Sequence, residues 1–344
     1  MRKSIFITLL VLLSISIASV VAFGEGAATS ATPITIYMVP KFTGAPYFTA
    51  CEQGALQAVS ELNELGLPVK FYYMGPSTAN TEDEIKTITS IIALHPNALL
   101  YSSNDYQALI PVLKQAMAAG IKVVGFDADV ADPSARDLFI NQVDFNVLAR
   151  TLIDLVAQNV GPDTGIAILS ANPNAANQNA WIAAMKAYMA QSYPKMHIVT
   201  IQYGGDLPGS SYQDAQTIIN AYYPQAKAIV AITSVAFPMA AQAVLDAGLA
   251  GKLYVVGLAT PNDMKKYFQT GVVKQDVLWN PVDLGYLALY AANDLVRGMM
   301  INNINGTEYI GGGKLGFYAV GPNNVVLLGK PFIFTAQNVN QFNF

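Results

Sequence analysis

Between residues 34 and 279 the chain repeats one pattern: a short apolar run rich in β-branched residues, a turn, then a longer segment with helical spacing. Runs such as Ile166-Ala167-Ile168-Leu169 are apolar at every position. Both faces of such a strand must be covered, which is the condition of a parallel sheet flanked by helices. Strands are expected at 34–39, 69–74, 98–101, 122–126, 138–141, 165–169, 197–202, 228–232, 253–258 and 273–279. The intervening segments carry helix signals. Thr81-Glu82-Asp83-Glu84 has the form of a capping box, after which Ile85, Ile88 and Ile92 line one face until His95-Pro96. Leu109, Val112, Leu113 and Met117 repeat the scheme up to Gly120, as do 181–190, 215–222, 239–247 and 284–296. These stripes read as core. So many strand-helix units predict an α/β fold of two doubly wound parallel-sheet lobes. Past Arg297 the helical spacing stops, and 315–320, 325–328 and 332–334 read as extended segments joined by turns.

Composition narrows what such a fold could serve. Charged residues make up 12% of the chain, with 19 Lys+Arg against 23 Asp+Glu and a net charge of -4. No basic field exists to hold a nucleic acid, so none is expected as a partner. The mean hydropathy of +0.34 is high, and its densest apolar run is local. Met1-Arg2-Lys3 precedes an apolar run from Ile5 to Val21, and Val20-Val21-Ala22 or Ala22-Phe23-Gly24 offers small residues for cleavage. Residues 1–24 therefore read as a secretory signal peptide and 25–33 as a linker rich in Ala, Thr, Ser and Pro, which places the protein in the periplasm or at the cell surface. The alternative is an uncleaved anchor, since a run of about 17 residues is near the lower limit for a membrane span.

Several chemistries lack their residues. Cys51 is the only cysteine, so no internal disulfide can form, and its place at the start of a helix suits a buried small side chain better than a nucleophile. His95 and His197 are the only histidines and stand apart from any ligand-spaced partner, which argues against a metal site or a His-based triad. Gly311-Gly312-Gly313-Lys314 lacks the spacing and the following Ser or Thr of a phosphate loop, and Pro40-Lys41-Phe42-Thr43-Gly44 stands where a dinucleotide fingerprint would be. No cofactor is expected. Asn305-Gly306-Thr307 matches a glycosylation sequon and otherwise reads as a surface turn.

In open α/β sheets ligands sit beyond the carboxyl ends of the strands. The residues at those positions are Lys41 and Phe42 after the first strand, Ser102 to Asp105 after the third, and Asp127 and Asp129 after the fourth. Asn177 and Gln178 open a helix after Leu169, Phe237-Pro238-Met239-Ala240 follows Ile232, and Trp279-Asn280 follows Leu278. One cation, carboxylates, amides and aromatic rings suit a small polyhydroxylated ligand, whose hydroxyls donate and accept while its apolar faces stack on rings. Each residue also has a plainer role open to it: Asp127, Asp129 and Asn177 could cap helices, and Trp181 and Trp279 could be core.

Six segments in order carry a resemblance: Lys41-Phe42-Thr43-Gly44-Ala45-Pro46-Tyr47-Phe48, Asp127-Ala128-Asp129, Ile140-Asn141-Gln142, Asn177-Gln178-Asn179-Ala180-Trp181, Pro238 to Ala243, and Val256 to Asn262. Together they resemble the autoinducer-2-binding and rhamnose-binding group of the periplasmic sugar-binding proteins (type I) of ABC importers, over essentially the whole chain after the signal segment. The resemblance implies two lobes joined by a three-crossover hinge that closes on the ligand, with 34–140 and 262–298 in the first lobe and 141–261 and 299–344 in the second. It implies ligand contacts at Lys41, Asp127, Gln178, Pro238 and Ala240. At Asn177 and Asn280 the group carries Asp, and an amide there exchanges an acceptor-only oxygen for a donor.

The expected function is capture of a small sugar or autoinducer-2-like furanosyl ligand and its delivery to the permease of an ABC importer, without catalysis. A sensor that presents its bound form to a membrane receptor would use the same pocket. A carbohydrate hydrolase would need Asp127 paired with Asp129 or Asp105, and neighbouring acids on one extended chain sit too close for two-carboxylate chemistry.

Overall fold

The computed structural model describes residues 31–344, so the signal segment and most of the linker lie outside the described residues. The first lobe is built from β1 (Ile34–Val39), α1 (Pro46–Glu64), β2 (Val69–Tyr73), α2 (Thr81–Ile92), β3 (Ala98–Tyr101), α3 (Ile110–Ala118), β4 (Lys122–Phe126) and β5 (Leu138–Asn141). The chain then enters the second lobe through α4 (Phe145–Val160), β6 (Gly165–Ser170), α5 (Ala176–Ser192), β7 (His197–Tyr203), α6 (Pro208–Tyr222), β8 (Ala226–Ala231), α7 (Ala236–Asp246), β9 (Tyr254–Gly257), α8 (Pro261–Gln269) and β10 (Asp276–Leu278). It returns with α9 (Pro281–Arg297), β11 (Ile301–Asn302), β12 (Glu308–Gly311), β13 (Phe317–Gly321) and β14 (Val325–Leu327), and crosses a last time to β15 (Phe332–Phe334).

The sheets follow from this route. Strands β2-β1-β3-β4-β5 are parallel, and β14 joins them parallel to β5, pairing Val326 with Ile140. Antiparallel β13, β12 and β11 extend that edge into a nine-stranded sheet. The second sheet is the parallel set β7-β6-β8-β9, with β10 beside β9 and paired to β15. The chain thus passes between lobes near 142–144, 279–280 and 328–331, giving the three-crossover connection.

Two boundaries differ from those expected. Residues 301–327 belong to the first sheet and not to the second lobe, because Val325–Leu327 completes the hydrogen-bonding edge of β5. Helix α8 belongs to the second lobe, where it packs on α7, and not to the first. The start of α2 also differs. Asn80, and not Thr81, is its cap, accepting from Asp83 N at 3.0 Å, and Glu84 turns into the interior with no solvent exposure.

The closest approach in the first lobe is between α1 and α9. A Cβ on Gly54 would lie 1.8 Å from Val282 O, and one on Gly285 would lie 1.8 Å from Cys51 O. Only glycine allows these backbones to touch. The contact fixes the start of α1, which carries Tyr47 and Phe48, against the start of α9, which directly follows Trp279. Cys51 is buried at this crossing, as a small core residue would be.

Candidate functional site

The carboxyl ends of the two parallel sheets face a shared cleft. Lys41, Phe42, Asp127, Asn177, Gln178 and Trp279, all marked out by the sequence, line it. Pro238, Ala240 and Asn280 do not. Pro238 and Ala240 are buried within the first turns of α7, and the chain just before them, Ile232-Thr233-Ser234, reaches the cleft instead. Asn280 is the cap of α9: its Oδ1 accepts from Val282 N at 3.0 Å and its amide donates to Asp283. Those partners turn its amide to the start of the helix.

On the first-lobe wall, Asp127 is buried and held in the left-handed region at φ 61°. Asp tolerates that region better than most residues, and non-glycine residues kept there concentrate at functional sites. Its Oδ1 accepts from Tyr47 OH at 3.0 Å and its Oδ2 from Ser102 Oγ at 2.8 Å. Tyr47 OH in turn accepts from Trp279 Nε1 at 2.9 Å, so a relay of donors runs from the crossover to the carboxylate. Lys41, at the end of β1, is buried, and its backbone carbonyl accepts from Asn104 Nδ2 at 2.7 Å. Asn104 is fixed from behind by Glu84, whose Oε2 accepts from Asn104 N at 3.0 Å and from its amide at 2.8 Å. Burial pushes the Glu84 carboxyl up to about 8, against the pull of the Asn104 donors and Lys41.

The second-lobe wall contributes Asp206, which the sequence reading missed. It follows β7, is buried, and also adopts a positive φ, 52°. Burial raises both cleft carboxyls, Asp127 and Asp206, while the positive charge of Lys41 pulls both back down. Among the described residues Lys41 forms no ion pair within 4.0 Å. Its ammonium therefore keeps its donors for whatever enters the cleft. Gln178 is oriented by two donors, Ser170 Oγ at 2.7 Å and Ala171 N at 2.9 Å, which fix its carbonyl oxygen and leave its NH₂ as the free end. Trp181 Nε1 is buried with no hydrogen-bond partner among the described residues. The rings of Trp181 and Trp279 stand 5.8 Å apart, and Trp279 meets Tyr47 edge to face at 6.1 Å.

The two walls touch at three levels. Trp279 bonds Tyr47 at the hinge side, Asn177 Nδ2 reaches Asp127 O at 3.5 Å within the cleft, and Asn174 Nδ2 donates to Asp105 Oδ2 at 2.8 Å at the rim. The lobes are closed on each other. The other acids have structural partners. Asp129 holds Arg136 through two bonds of 2.7 Å, and Asp105 accepts from Gln107 N and Ala108 N. Neither is free to pair with Asp127 in a hydrolytic site.

The family model described as periplasmic binding protein domain matches residues 36–299. An ABC transporter solute-binding protein from Clostridium phytofermentas, solved with bound L-rhamnose, is 31% identical, with 90% of this chain and 98% of that one covered and a TM-score of 0.81. LsrB from Clostridium saccharobutylicum, in complex with AI-2, is 26% identical over 90% of this chain and 100% of that one, with a TM-score of 0.82. The D-ribose/D-allose-binding protein of Pseudomonas aeruginosa is 27% identical over 198 residues, 56% of this chain and 61% of that protein's length.

Proposed function

The chain belongs to the periplasmic binding protein domain family, and from that premise we propose that it is an exported protein that captures a small sugar or autoinducer-2-like furanosyl ligand between its lobes and delivers it to the permease of an ABC importer. The observation that carries this is the pairing in one closed cleft of an ammonium without an ion pair, Lys41, with two buried carboxylates, Asp127 and Asp206. A sugar hydroxyl satisfies both kinds of group at once, donating to a carboxylate while accepting from the ammonium. Trp181, Trp279 and Phe42 offer faces on which the apolar side of a sugar ring packs.

Closure follows from the same chemistry. Lys41 and Asp127 belong to the first lobe, Asp206, Gln178 and Trp181 to the second, so a ligand bonded to both walls stabilises the closed arrangement over an open one by its differential contacts. The similarity to a rhamnose-bound and an AI-2-bound protein supports this ligand class. Nothing in the cleft needs a cofactor for capture and release, and the proposed role is binding without turnover.

Isothermal calorimetry against pentoses, L-rhamnose and autoinducer-2 tests the proposal. Saturable binding of at least one of them is expected. Absence of heat from every one at millimolar concentration would overturn the ligand class.

A further inference from the structure

Helix α2 turns one acid inward. Glu84 lies in its first turn with no solvent exposure, on the stripe that Ile88 and Ile91 continue as apolar core. A carboxyl in such a place is costly unless it is bonded. Its Oε1 has no hydrogen-bond partner among the described residues, and both donors that reach its Oε2 come from one residue, Asn104. An aliphatic side chain would serve the core better, so the acid is to be explained by what Asn104 does. Asn104 is itself buried, and its amide also donates to the Lys41 carbonyl at 2.7 Å. It stands in the middle of the segment 102–106, whose other members reach the cleft and its rim. Ser102 Oγ donates to Asp127 Oδ2 at 2.8 Å, while Asp105 Oδ2 accepts from Asn174 Nδ2 of the second lobe at 2.8 Å and Tyr106 N donates to Asn174 O at 3.4 Å.

We propose that Glu84 is a positioning residue of the ligand site: through Asn104 it fixes the Lys41 backbone and the 102–106 segment in the arrangement that receives a ligand and closes on the second lobe. The inference rests on the sugar-capture role proposed above and adds to it a residue outside the cleft lining. The bond to Asn104 N holds the main chain of the segment, and the bond to Asn104 Nδ2 aims the amide at Lys41. Without Glu84 both donors are left buried and unpaired, and the segment gains by turning them to other acceptors. A site that loses such support loses affinity through displacement of its groups, with none of them removed. Burial pushes the Glu84 carboxyl up to about 8, so near neutral pH it acts as an uncharged acceptor. An amide can take over that part, and a side chain without an acceptor cannot.

Three substitutions at one position isolate this role. Glu84→Met keeps the length and removes the acceptor, Glu84→Asp falls one carbon short of Asn104, and Glu84→Gln keeps a carbonyl oxygen. Calorimetry on the whole protein near neutral pH, with the best-bound sugar, is expected to show Glu84→Met weaker by about ten-fold or more and Glu84→Gln within about three-fold of wild type. Glu84→Asp is expected to lose affinity as Glu84→Met does, and serves where that variant fails to fold. Asn104→Ala should also weaken binding, and combining it with Glu84→Met should add no more than about two-fold to the weaker single variant, because both act through one relay. Ile88→Val, a core change one turn further along α2, should lower Tm and leave the affinity unchanged, which separates positioning from loss of stability. Wild-type affinity in folded Glu84→Met or Glu84→Asp would overturn the positioning role and leave sugar capture intact. So would a loss in Glu84→Gln or Ile88→Val equal to that in Glu84→Met, or full additivity with Asn104→Ala. Failure of every sugar and of autoinducer-2 to bind the wild type would overturn the capture role itself, and the positioning role with it.

Discussion

The two walls of the cleft are built on opposite plans. On the first-lobe wall nearly every polar group is already bonded to protein: Asp127 to Tyr47 and Ser102, Asn104 to Glu84, and the Lys41 carbonyl to Asn104. The Lys41 ammonium on this wall forms no ion pair among the described residues. On the second-lobe wall the polar groups are presented open, with Trp181 Nε1 lacking a partner and the Gln178 amide turned so that its donors face away from Ser170 and Ala171. One wall is prewired and holds charge in fixed positions. The other supplies choice, through unmade donors beside the aliphatic side chains of Ile232, Leu258 and Leu278. A binding protein gains from that division, because groups fixed before the ligand arrives lose less freedom on binding, while open groups discriminate between ligands.

The largest break in this contrast is expected from the prewired wall. Lys41→Ala or Asp127→Ala should cost about 1.5–3 kcal/mol of binding, since each removes a charged partner of a ligand hydroxyl and leaves that hydroxyl buried without it, with the folded protein retained. Calorimetry on both variants with one sugar checks it. Asn177→Asp should weaken every ligand by about 1–2 kcal/mol, because a donor to the Asp127 carbonyl becomes a carboxylate facing it and the cross-lobe contact is lost. Affinity equal to wild type would show that this contact does not aid closure. On the open wall, Trp181→Phe keeps the ring and removes one donor, so a loss of about 1 kcal/mol is expected, confined to ligands with an oxygen in reach of it.

The smallest effect concerns pH. Glu84 sits at about 8 in the folded chain against an ordinary 4.5, because burial disfavours its charge. Between those values the folded state holds a proton that the unfolded state has released, so stability falls as pH rises through that window. Asp127 and Asp206 are raised in the same sense. Thermal melts of the ligand-free protein should therefore show a higher Tm at the acid end of the window. Glu84→Gln should make the slope shallower without abolishing it, and an unchanged slope would mean that Glu84 is not held protonated.

Much of this was legible in the residues. Strands β1, β3, β4 and β5 begin and end where the expected runs do, and β3 is buried at every position, as a strand covered on both faces is. The strand-end rule led to Lys41, Asp127 and Gln178. It would have led to Asp206, four residues beyond the expected end of β7, had it been carried across the turn Tyr203-Gly204-Gly205. Glu84 had no such signal. Thr81-Glu82-Asp83-Glu84 fits a local cap, and the Asn104 that claims its carboxylate stands twenty residues away. The tail was misplaced on similar grounds, since nothing in Val325-Val326-Leu327 says that its partner is β5. Pro238 and Ala240 came from the same strand-end rule and from a motif, and in this chain the cleft is met a few residues earlier, at Ile232 to Ser234.

Capture of the ligand by both walls together is tested most directly by calorimetry with the best-bound sugar on three proteins: wild type, Lys41→Ala from the prewired wall and Asp206→Asn from the open one. Each substitution should weaken binding at least about ten-fold, the equivalent of roughly 1.4 kcal/mol, while the Tm of each ligand-free protein shows it folded. Wild-type affinity in either folded variant would mean that the sugar is held by one lobe alone, and closure on a ligand shared between the lobes would be contradicted.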